Sequence, residues 1–258
     1  MTQESHGLAL DGRWAAITGG SKGIGFGIAR AFLAEGANLV LVARGQADLA
    51  KAQAELAAQA RPGQSVLAMT ADTSDRTDIT RLFERLATEI PSLDIFVANA
   101  GSGSVVPLLE ITEEYWDSVM DLNLDGTFWC IQKAAQRMAT QPRGDHAILA
   151  VSSIRALGAR PGRLAYAVTK AGLNQLVKSA AQELAPLGIR VNALSPGITE
   201  TPLASLNPEA FQAAVKTVPM GRAGAIDDMG AGALYLCSPA AHFVTGVNLI
   251  VDGGESLG

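Results

Sequence analysis

Seven short apolar segments recur along the chain, and longer segments with helical periodicity separate them. Each apolar segment is nearly continuous, which is typical of strands that are buried on both faces of a parallel sheet. The alternation predicts a doubly wound α/β fold, with a parallel sheet of about seven strands and helices on both faces. The predicted strands are 14–18, 38–43, 65–71, 93–99, 146–152, 189–195 and 247–253. The predicted helices lie at about 23–35, 46–60, 75–90, 112–140, 164–186 and 226–238.

Three positions carry signals for the start of a helix. Ser74 stands before an acidic first turn, and Thr112 stands before two glutamates. Asn207 followed by Pro208 pairs a capping residue with a proline at the first helical position. We therefore expect helices to begin directly after Ser74, Thr112 and Asn207.

The chain shows no internal repeat, low-complexity tract or linker, and its 258 residues suit one large α/β domain. A single domain over residues 1–258 is therefore expected, with residues 1–10 as a flexible tail. The longest stretch without clear periodicity is 196–225. Long loops of this kind are often functional, and we predict that this one forms a lid over a substrate site.

Charge and composition exclude two classes of partner. The net charge is −5 and the pI is about 5.2, whereas nucleic acids and anionic membranes bind basic surfaces. No apolar run approaches the ~18 residues that indicate a membrane span, and no signal peptide is visible. Cys130 and Cys237 suit core positions in a reducing compartment. The expectation is a cytoplasmic protein without a metal site.

The segment "TGGSKGIG" (18–25) lies between the first predicted strand and the first predicted helix. Its Gly19, Gly23 and Gly25 suit a backbone turn that brings a phosphate to a helix N-terminus. The alternative is a nucleophile elbow, because the same segment contains G-x-S-x-G with Ser21 at its centre. That hydrolase would need a histidine, and only His242 stands in the right chain order. The phosphate-binding interpretation is favoured.

The end of the second predicted strand indicates which dinucleotide is bound. Arg44 lies 19 residues after Gly25, where an acid that grips the ribose of NAD would be expected. An arginine fork matches a 2′-phosphate instead, and Lys22 adds a second positive charge. The pair favours NADP(H) over NAD(H), with two solvated surface cations as the alternative.

The segment "YAVTK" places Tyr166 and Lys170 one helical turn apart and on one face. An ammonium roughly 4 Å from a phenol favours the phenolate by about 4 kcal/mol at an effective dielectric near 20. This would bring the pKa of Tyr166 near 7, which suits a general acid and base. Ser153 lies 13 residues upstream and could hydrogen-bond the substrate oxygen, with Ser152 as its rival.

Six motifs occur together in a specific order: "TGGSKGIG", "ANAG" (98–101), "DLNLDG" (121–126), the serine before "YAVTK", "SPGITET" (195–201) and "VDGG". In these the chain resembles the short-chain dehydrogenase/reductase family over essentially its whole length. The resemblance implies a Rossmann fold and a nicotinamide-dependent oxidoreductase. It also implies a homotetramer or dimer, formed through the helices at 112–140 and 164–186 and the C-terminal strand region.

The resemblance also assigns roles to individual residues. It implies that Ser153 orients the carbonyl, Tyr166 transfers the proton, Lys170 lowers the pKa of the tyrosine, and Asn123 holds a water that links Lys170 to solvent. Ala98 departs from the family, which usually has an asparagine there, and we expect altered packing near the cofactor. The implied cofactor-binding residues are Gly19, Ser21, Lys22, Gly23, Ile24, Gly25, Arg44, Asp72, Asn99, Tyr166, Lys170, Ile198, Thr199 and Thr201.

Three loops, at 102–109, 154–163 and about 199–220, should surround the substrate. The lid offers apolar side chains suited to a ketone, namely Leu203, Leu206, Phe211, Val215 and Met220. The middle loop carries Arg155, Arg160 and Arg163, which could bind an acidic group or could be solvated. The sequence predicts an NADP(H)-dependent oxidoreductase acting on a ketone or secondary alcohol, either a carbonyl reductase or an enzyme like a 3-oxoacyl reductase, with a non-catalytic dinucleotide sensor as the alternative.

Overall fold

The computed structural model describes residues 8–201 and 208–257. The strands are β1 (Trp14–Thr18), β2 (Asn38–Ala43), β3 (Val66–Thr70), β4 (Ile95–Ala98), β5 (His146–Val151), β6 (Ile189–Pro196) and β7 (Asn248–Val251). They form one parallel sheet in the order β3-β2-β1-β4-β5-β6-β7. Ala15 of β1 lies opposite Leu39 on one side and Ile95 on the other. The predicted seven-stranded parallel sheet is confirmed.

The helices are α1 (Gly23–Ala34), α2 (Gln46–Ala57), α3 (Arg76–Glu89), α4 (Glu113–Met120), α5 (Gly126–Ala139), α6 (Leu164–Leu184), α7 (Pro208–Val215) and α8 (Ile226–Cys237). The helix predicted over 112–140 is interrupted by a π-helical turn, Asp121–Asp125, that separates α4 from α5. The region predicted as a lid loop, 196–225, contains the helix α7. Leu203, Leu206 and Asn207 lie outside the described residues.

Two of the helix-start predictions can be compared with the structure. The Thr112 hydroxyl accepts a hydrogen bond from the backbone of Tyr115 at 3.2 Å, as expected of the residue that caps α4. The prediction for Ser74 is wrong by one residue. Asp75 caps α3, and its carboxylate accepts from the backbone N–H groups of Thr77 and Asp78 at 2.7 and 3.0 Å.

The sheet separates two hydrophobic cores. Ala16 of β1 packs with side chains of α3, α5 and α6, whereas its neighbours Ala15 and Ile17 pack with α1, α2 and α8. This follows from the alternation of side chains along a strand and explains why the strands are apolar throughout. Cys130 and Cys237 are buried free thiols in different cores, so the sheet keeps them apart.

The segment before β1 is packed against the domain. Leu10 is fully buried, and its backbone N–H donates to the carbonyl of Glu35 at 2.9 Å. The N–H of Ala9 donates to the carboxylate of Glu35 at 3.1 Å. Residues 8–10 therefore do not belong to the flexible tail that the sequence predicts. Within the described residues, no helix is long and apolar enough to cross a membrane.

The strand order places the loops that carry the motifs at one edge of the sheet. β1 lies between β2 and β4, so the chain winds outward in opposite directions on the two sides of β1. In doubly wound sheets, ligands bind in the crevice outside the carboxyl ends of the strands at this switch point. The loops that follow β1, β4, β5 and β6 all leave from that edge.

Candidate active site

The turn between β1 and α1 has room only for glycine at two critical positions. Gly19 has a φ of +64°, and a Cβ there would lie 2.6 Å from the side-chain nitrogen of Asn99. A Cβ at Gly25 would lie 2.3 Å from the carbonyl oxygen of Gly19. Lys22 is the N-cap of α1 and makes no side-chain capping hydrogen bond. The backbone N–H groups at this helix end are therefore suited to a pyrophosphate.

Asn99 and Thr18 join β4 to β1 directly behind this turn. The Asn99 amide donates to the carbonyls of Thr18 and Gly19 at 2.9 and 3.2 Å. The Thr18 hydroxyl accepts from the backbone N–H groups of Asn99 and Ala100 at 3.0 and 3.1 Å. Asn99, predicted to bind the cofactor, therefore shapes the loop that would hold the phosphates. Ala98 ends β4 and is buried, without a polar group of its own.

The two cations predicted to select NADP(H) each face a carboxylate. Lys22 lies 3.3 Å from Asp48 of α2, and Arg44 lies 3.5 Å from Asp72. Both cations are exposed, with 63% and 65% of the side-chain surface accessible. Burial acts to raise the pKa of Asp72, but hydrogen bonds from Ser74 and the charge of Arg44 outweigh it and lower the pKa. Asp72 is therefore ionised beside Arg44.

The remaining predicted residues of the glycine turn lie where the motif requires. Ser21 and Gly23 are partly buried on either side of the exposed Lys22, and Gly23 has a φ of +56° at the start of α1. Ile24 is partly buried and packs against the core that α1 shares with α8. Ile24 therefore anchors the turn, while Ser21 is left beside the free helix end.

Ser153 and Tyr166 meet where the loop after β5 leads into α6. The Ser153 hydroxyl acts to lower the pKa of the Tyr166 phenol, and it accepts from the backbone N–H of Arg155 at 3.1 Å. The rival Ser152 turns elsewhere, because its hydroxyl donates to the carbonyl of Lys170 at 3.3 Å. The geometry therefore brings Ser153, and not Ser152, to the tyrosine.

Lys170 is buried beneath the tyrosine, with 3% of its surface accessible. Its ammonium donates to the carbonyl of Val151, the last residue of β5, at 2.8 Å. The nitrogen lies 5.6 Å from the centre of the Tyr166 ring. Burial lowers the pKa of Lys170 to about 8, because desolvation disfavours the charged form.

The pKa of Tyr166 moves in the direction opposite to the sequence-based expectation. Burial raises the pKa of the phenol, and the hydrogen bond from Ser153 followed by the charges of Arg163 and Arg155 act against that rise. The expectation that Lys170 brings this pKa near 7 is wrong for this structure, since burial raises the pKa of the phenol and Lys170 is itself desolvated. The tyrosine is protonated at neutral pH, which is the form that can donate a proton.

Asn123 lies at the centre of the π-helical turn and is fully buried. Its side chain accepts from the N–H of Ser102 at 2.9 Å and donates to the carbonyl of Ser102 at 2.7 Å. A Cβ on Gly101 would lie 3.0 Å from the Asn123 oxygen and 3.5 Å from the Lys170 nitrogen. Asn123 and Lys170 therefore flank the same glycine. π-helical turns of this kind are frequent at functional sites.

The start of α5 lies unusually close to the loop that follows β3. A Cβ on Gly126 would lie 1.8 Å from the carbonyl oxygen of Thr73. Thr73 is adjacent to Asp72, and Gly126 directly follows the π-helical turn that carries Asn123. Only a glycine allows this approach between the two loops.

The loops after β4 and β5 hold one another beside the tyrosine. Arg163 donates to the carbonyl of Gly103 at 2.9 Å, and a Cβ on Gly103 would lie 2.8 Å from the Tyr166 ring. The Tyr115 hydroxyl donates to the carbonyl of Ser104 and accepts from its N–H, at 3.0 and 3.1 Å. Sequence reasoning missed Tyr115, and its only signal was its place in the helix after the loop.

The loop after β6 lies on the opposite side of the crevice. The Thr199 hydroxyl donates to the carbonyl of Gly197 at 3.0 Å, and Thr199 bridges to Gly224. The N–H of Ile198 donates to the carboxylate of Glu255 at 2.9 Å. Thr201 is partly buried. The predicted residues Ile198 and Thr199 therefore lie together in the loop after β6, a strand that β4 and β5 separate from β1.

The same arrangement occurs in proteins of known class. A family model described as enoyl-(acyl carrier protein) reductase matches residues 19–256. The chain is 36% identical to 3β-hydroxysteroid dehydrogenase 1 of Eggerthella lenta over 251 residues, which cover 96% of this chain and 95% of that protein. It is 37% identical to galactitol 2-dehydrogenase (L-tagatose-forming) of Cereibacter sphaeroides over 254 residues, 96% of each chain.

A solved structure agrees with both relatives. The crystal structure of a short-chain type dehydrogenase/reductase from Mycobacterium marinum superposes with a TM-score of 0.89 at 32% identity, covering 96% of this chain and 97% of that one. The chain belongs to the short-chain dehydrogenase/reductase family. As a short-chain dehydrogenase/reductase it is an NAD(P)-dependent oxidoreductase, and it binds a nicotinamide dinucleotide.

The fold of this short-chain dehydrogenase/reductase excludes the hydrolase alternative. Ser21 follows β1 at the carboxyl edge of the sheet, whereas His242 follows α8 and precedes β7 at the amino edge. A strand of five residues, such as β1, spans about 16 Å, so the hydroxyl and the imidazole lie on opposite edges. The ring of His242 instead contacts the carbonyl of Pro239 at 3.2 Å.

Proposed function

We propose that this short-chain dehydrogenase/reductase is an NADP(H)-dependent ketone reductase and secondary alcohol dehydrogenase in which Tyr166 exchanges the proton with the substrate. The observation that carries the proposal is the placement of Tyr166 beside Ser153 and 5.6 Å from the nitrogen of the buried Lys170. When bound, the nicotinamide would supply the hydride for the carbonyl carbon. Tyr166 gives its phenolic proton to the carbonyl oxygen, so the ketone becomes a secondary alcohol.

The charges around Tyr166 suit this proton transfer. After the phenol has given up its proton, the phenolate faces the cations of Arg155 and Arg163, which favour the charged form. Ser153, whose hydroxyl acts on the phenol, is proposed to orient the substrate oxygen. Lys170, whose pKa is about 8, can gain or lose a proton near neutral pH and is the group best placed to return a proton.

The preference for NADP(H) is supported by Arg44 and Lys22, which stand at the end of β2 and in the glycine turn. Asp48 and Asp72 form only exposed, weak ion pairs with these cations. A 2′-phosphate can therefore replace the two carboxylates as their partner. No carboxylate stands at the position of Arg44 itself, where an acid would bind the ribose of NAD. The preference for NADP(H) is therefore expected to be moderate rather than absolute.

The substrate is proposed to be an apolar ketone or its alcohol. Arg163 is engaged with the carbonyl of Gly103, and Arg155 is engaged with Glu255, so neither is available for an acidic substrate. Arg160 is exposed and is the remaining cation of this loop for a carrier or carboxylate. Phe211 and Val215 of α7 are partly buried, which supports an apolar contact.

A homotetramer or dimer in the cytoplasm is also proposed. Phe128 of α5 and Val168 of α6 are large exposed apolar side chains on the helices expected to pair. Phe243 and Ile250 are exposed near the last strand, where the second contact is expected. Covering these side chains would remove apolar surface from water. Light scattering tests this point, and a monomer would contradict it.

The Tyr166→Phe variant tests the reaction. We expect its turnover with any accepted ketone to fall at least about a thousandfold, because the ring is kept and only the proton donor is removed. Binding of NADPH, measured by fluorescence titration, should stay within a few-fold of the unaltered chain. Substantial activity in this variant would contradict the mechanism. Failure of the unaltered chain to oxidise NADPH or NADH with a broad panel of ketones would favour a non-catalytic sensor.

A further inference from the structure

Glu255 is a buried acid that follows β7 and contacts two loops of the site. Only 6% of its side chain is accessible. One carboxylate oxygen pairs with the guanidinium of Arg155, and the other accepts from the N–H of Ile198 at 2.9 Å. One side chain therefore connects the loop after β5 to the loop after β6.

Arg155 links Glu255 to Ser153 and Tyr166. It lies two residues after Ser153, and its N–H donates to the Ser153 hydroxyl at 3.1 Å. The positive charge of its guanidinium acts on the phenol of Tyr166. A carboxylate that fixes the guanidinium therefore also fixes the position and the strength of a charge that Tyr166 experiences.

The loop after β6 also packs closely against Glu255. A Cβ on Gly197 would lie 2.6 Å from Asp252 and 3.1 Å from a carboxylate oxygen of Glu255. The N–H of Gly197 donates to the carbonyl of Val251 at 3.0 Å. The loop that carries Thr199 therefore packs directly against the segment after β7, with no space between them for a larger residue at Gly197.

We propose that Glu255 is a positioning residue, which holds Arg155 beside Ser153 and Tyr166 and aligns the loop after β6 through Ile198. The proposal rests on the proposed role of Tyr166 as the proton donor. Breaking a buried ion pair leaves an uncompensated charge, so the contact constrains both loops strongly. Glu255 thus acts through Arg155 and need not touch the substrate.

The charged and polar groups that face Tyr166 determine the sign of the expected effect. They are Arg155 and Arg163 from the loop after β5, Lys170 from α6, and the hydroxyl of Ser153. In Glu255→Gln the amide oxygen can still accept a hydrogen bond from Arg155, so the guanidinium stays in place while the negative charge that opposes it is lost, and the phenolate is favoured more. Removing the cation has the reverse effect. The two substitutions should therefore shift the pH profile in opposite directions.

The test is the pH profile of ketone reduction by Glu255→Gln and Arg155→Gln. Reduction needs the protonated phenol, so activity declines at high pH as Tyr166 loses its proton. We expect Glu255→Gln to move this alkaline limb down, and Arg155→Gln to move it up, each by on the order of half a pH unit. In the double variant the alkaline limb should lie close to that of the unaltered chain. In Arg155→Lys, which keeps the positive charge, the limb should not move.

A matched control is the ion pair of Arg85 and Glu89 on α3, which is about half exposed and joins the two side chains at 2.7 Å. Arg85→Gln and Glu89→Gln make the same charge changes away from the site and should leave the limb in place. Equal shifts in the control variants would overturn the proposal, as would shifts of Glu255→Gln and Arg155→Gln in the same direction or no shift at all.

Further results distinguish a wrong role for Glu255 from a folding defect and from a wrong role for Tyr166. If Glu255→Gln does not fold, Arg155→Gln against Arg155→Lys remains decisive, and an unmoved limb in Arg155→Gln overturns the proposal. If Tyr166→Phe retains activity, the proposed function fails and takes this inference with it. If Tyr166→Phe is inactive but the limb does not move in Arg155→Gln, only the role of Glu255 is wrong.

Discussion

The two ends of the crevice are built differently. At the end where proton transfer is proposed, Lys170 is buried against the carbonyl of Val151, and Tyr166 is held between loops that hydrogen-bond one another. At the end proposed to select the dinucleotide, Lys22 and Arg44 are exposed and each faces an exposed or partly exposed acid. Buried charges interact strongly and are hard to replace, whereas solvent weakens exposed pairs. The chemistry should therefore be sensitive to single substitutions, and the cofactor preference should be easily tuned.

The sharpest contrast is expected between two adjacent serines. Ser153→Ala removes the hydroxyl that contacts Tyr166 and should lower kcat by about a hundred- to a thousandfold. Ser152→Ala removes only the hydrogen bond to the carbonyl of Lys170 and should cost less than about tenfold. Steady-state kinetics on both variants test this. Similar losses in both would show that the two hydroxyls are not distinguished by their positions.

The buried ammonium should impose a cost on folding that depends on pH. The pKa of Lys170 is about 8 in the folded chain and about 10.5 when unfolded, so the cost is full below pH 8 and fades as the pH rises toward 10.5. We therefore compare the free energy of unfolding of Lys170→Met with that of the unaltered chain. This difference should favour the variant by roughly 3 kcal/mol more at pH 7 than at pH 10.5.

Urea unfolding of both chains at several pH values measures this difference. Groups that titrate equally in both chains do not affect the difference in their free energies of unfolding. The variant leaves the carbonyl of Val151 without its donor, but that loss of stability is the same at every pH. A stability difference that does not change with pH would mean that Lys170 keeps its charge in the folded state.

At the exposed end, Arg44→Asp should reverse the local charge at the second strand. The ratio of kcat/KM for NADPH to that for NADH should fall by about 10- to 100-fold, because a charged hydrogen bond is worth about 1.5–3 kcal/mol. Kinetics with both cofactors at constant ionic strength measure the ratio. An unchanged ratio would remove Arg44 from the cofactor site and leave it as a surface cation.

The smallest effect should come from the partner of Lys22. Asp48→Asn removes the carboxylate 3.3 Å from the ammonium and should tighten NADPH binding by about two- to threefold, with NADH unaffected. Glu55→Gln on the same exposed helix is the matched control and should change neither constant. Fluorescence titration gives both dissociation constants. Equal tightening for the two cofactors would show that Asp48 acts on the shared phosphates.

The sequence predicted the strands and most of the helices, and it predicted that Tyr166 and Lys170 share a helix face, because both follow from local patterns. Apolar runs indicated the strands, and the four-residue spacing of Tyr166 and Lys170 placed them on one helix face. The partners of Lys22 could not be predicted, since Asp48 lies 26 residues away and meets it only after folding. The direction of the pKa shift at Tyr166 was also missed, because burial by separate loops leaves no local signal.

The two ends of the crevice are joined by the contact between Gly126 and Thr73. The loop that contains Asp72 packs against the π-helical turn that contains Asn123. A side chain at Gly126 would push the two apart. Attempts to engineer cofactor preference by rebuilding residues 72–74 therefore work against the catalytic end. Designers who want a new preference at full turnover should alter the second strand and α2 first, and leave this junction intact.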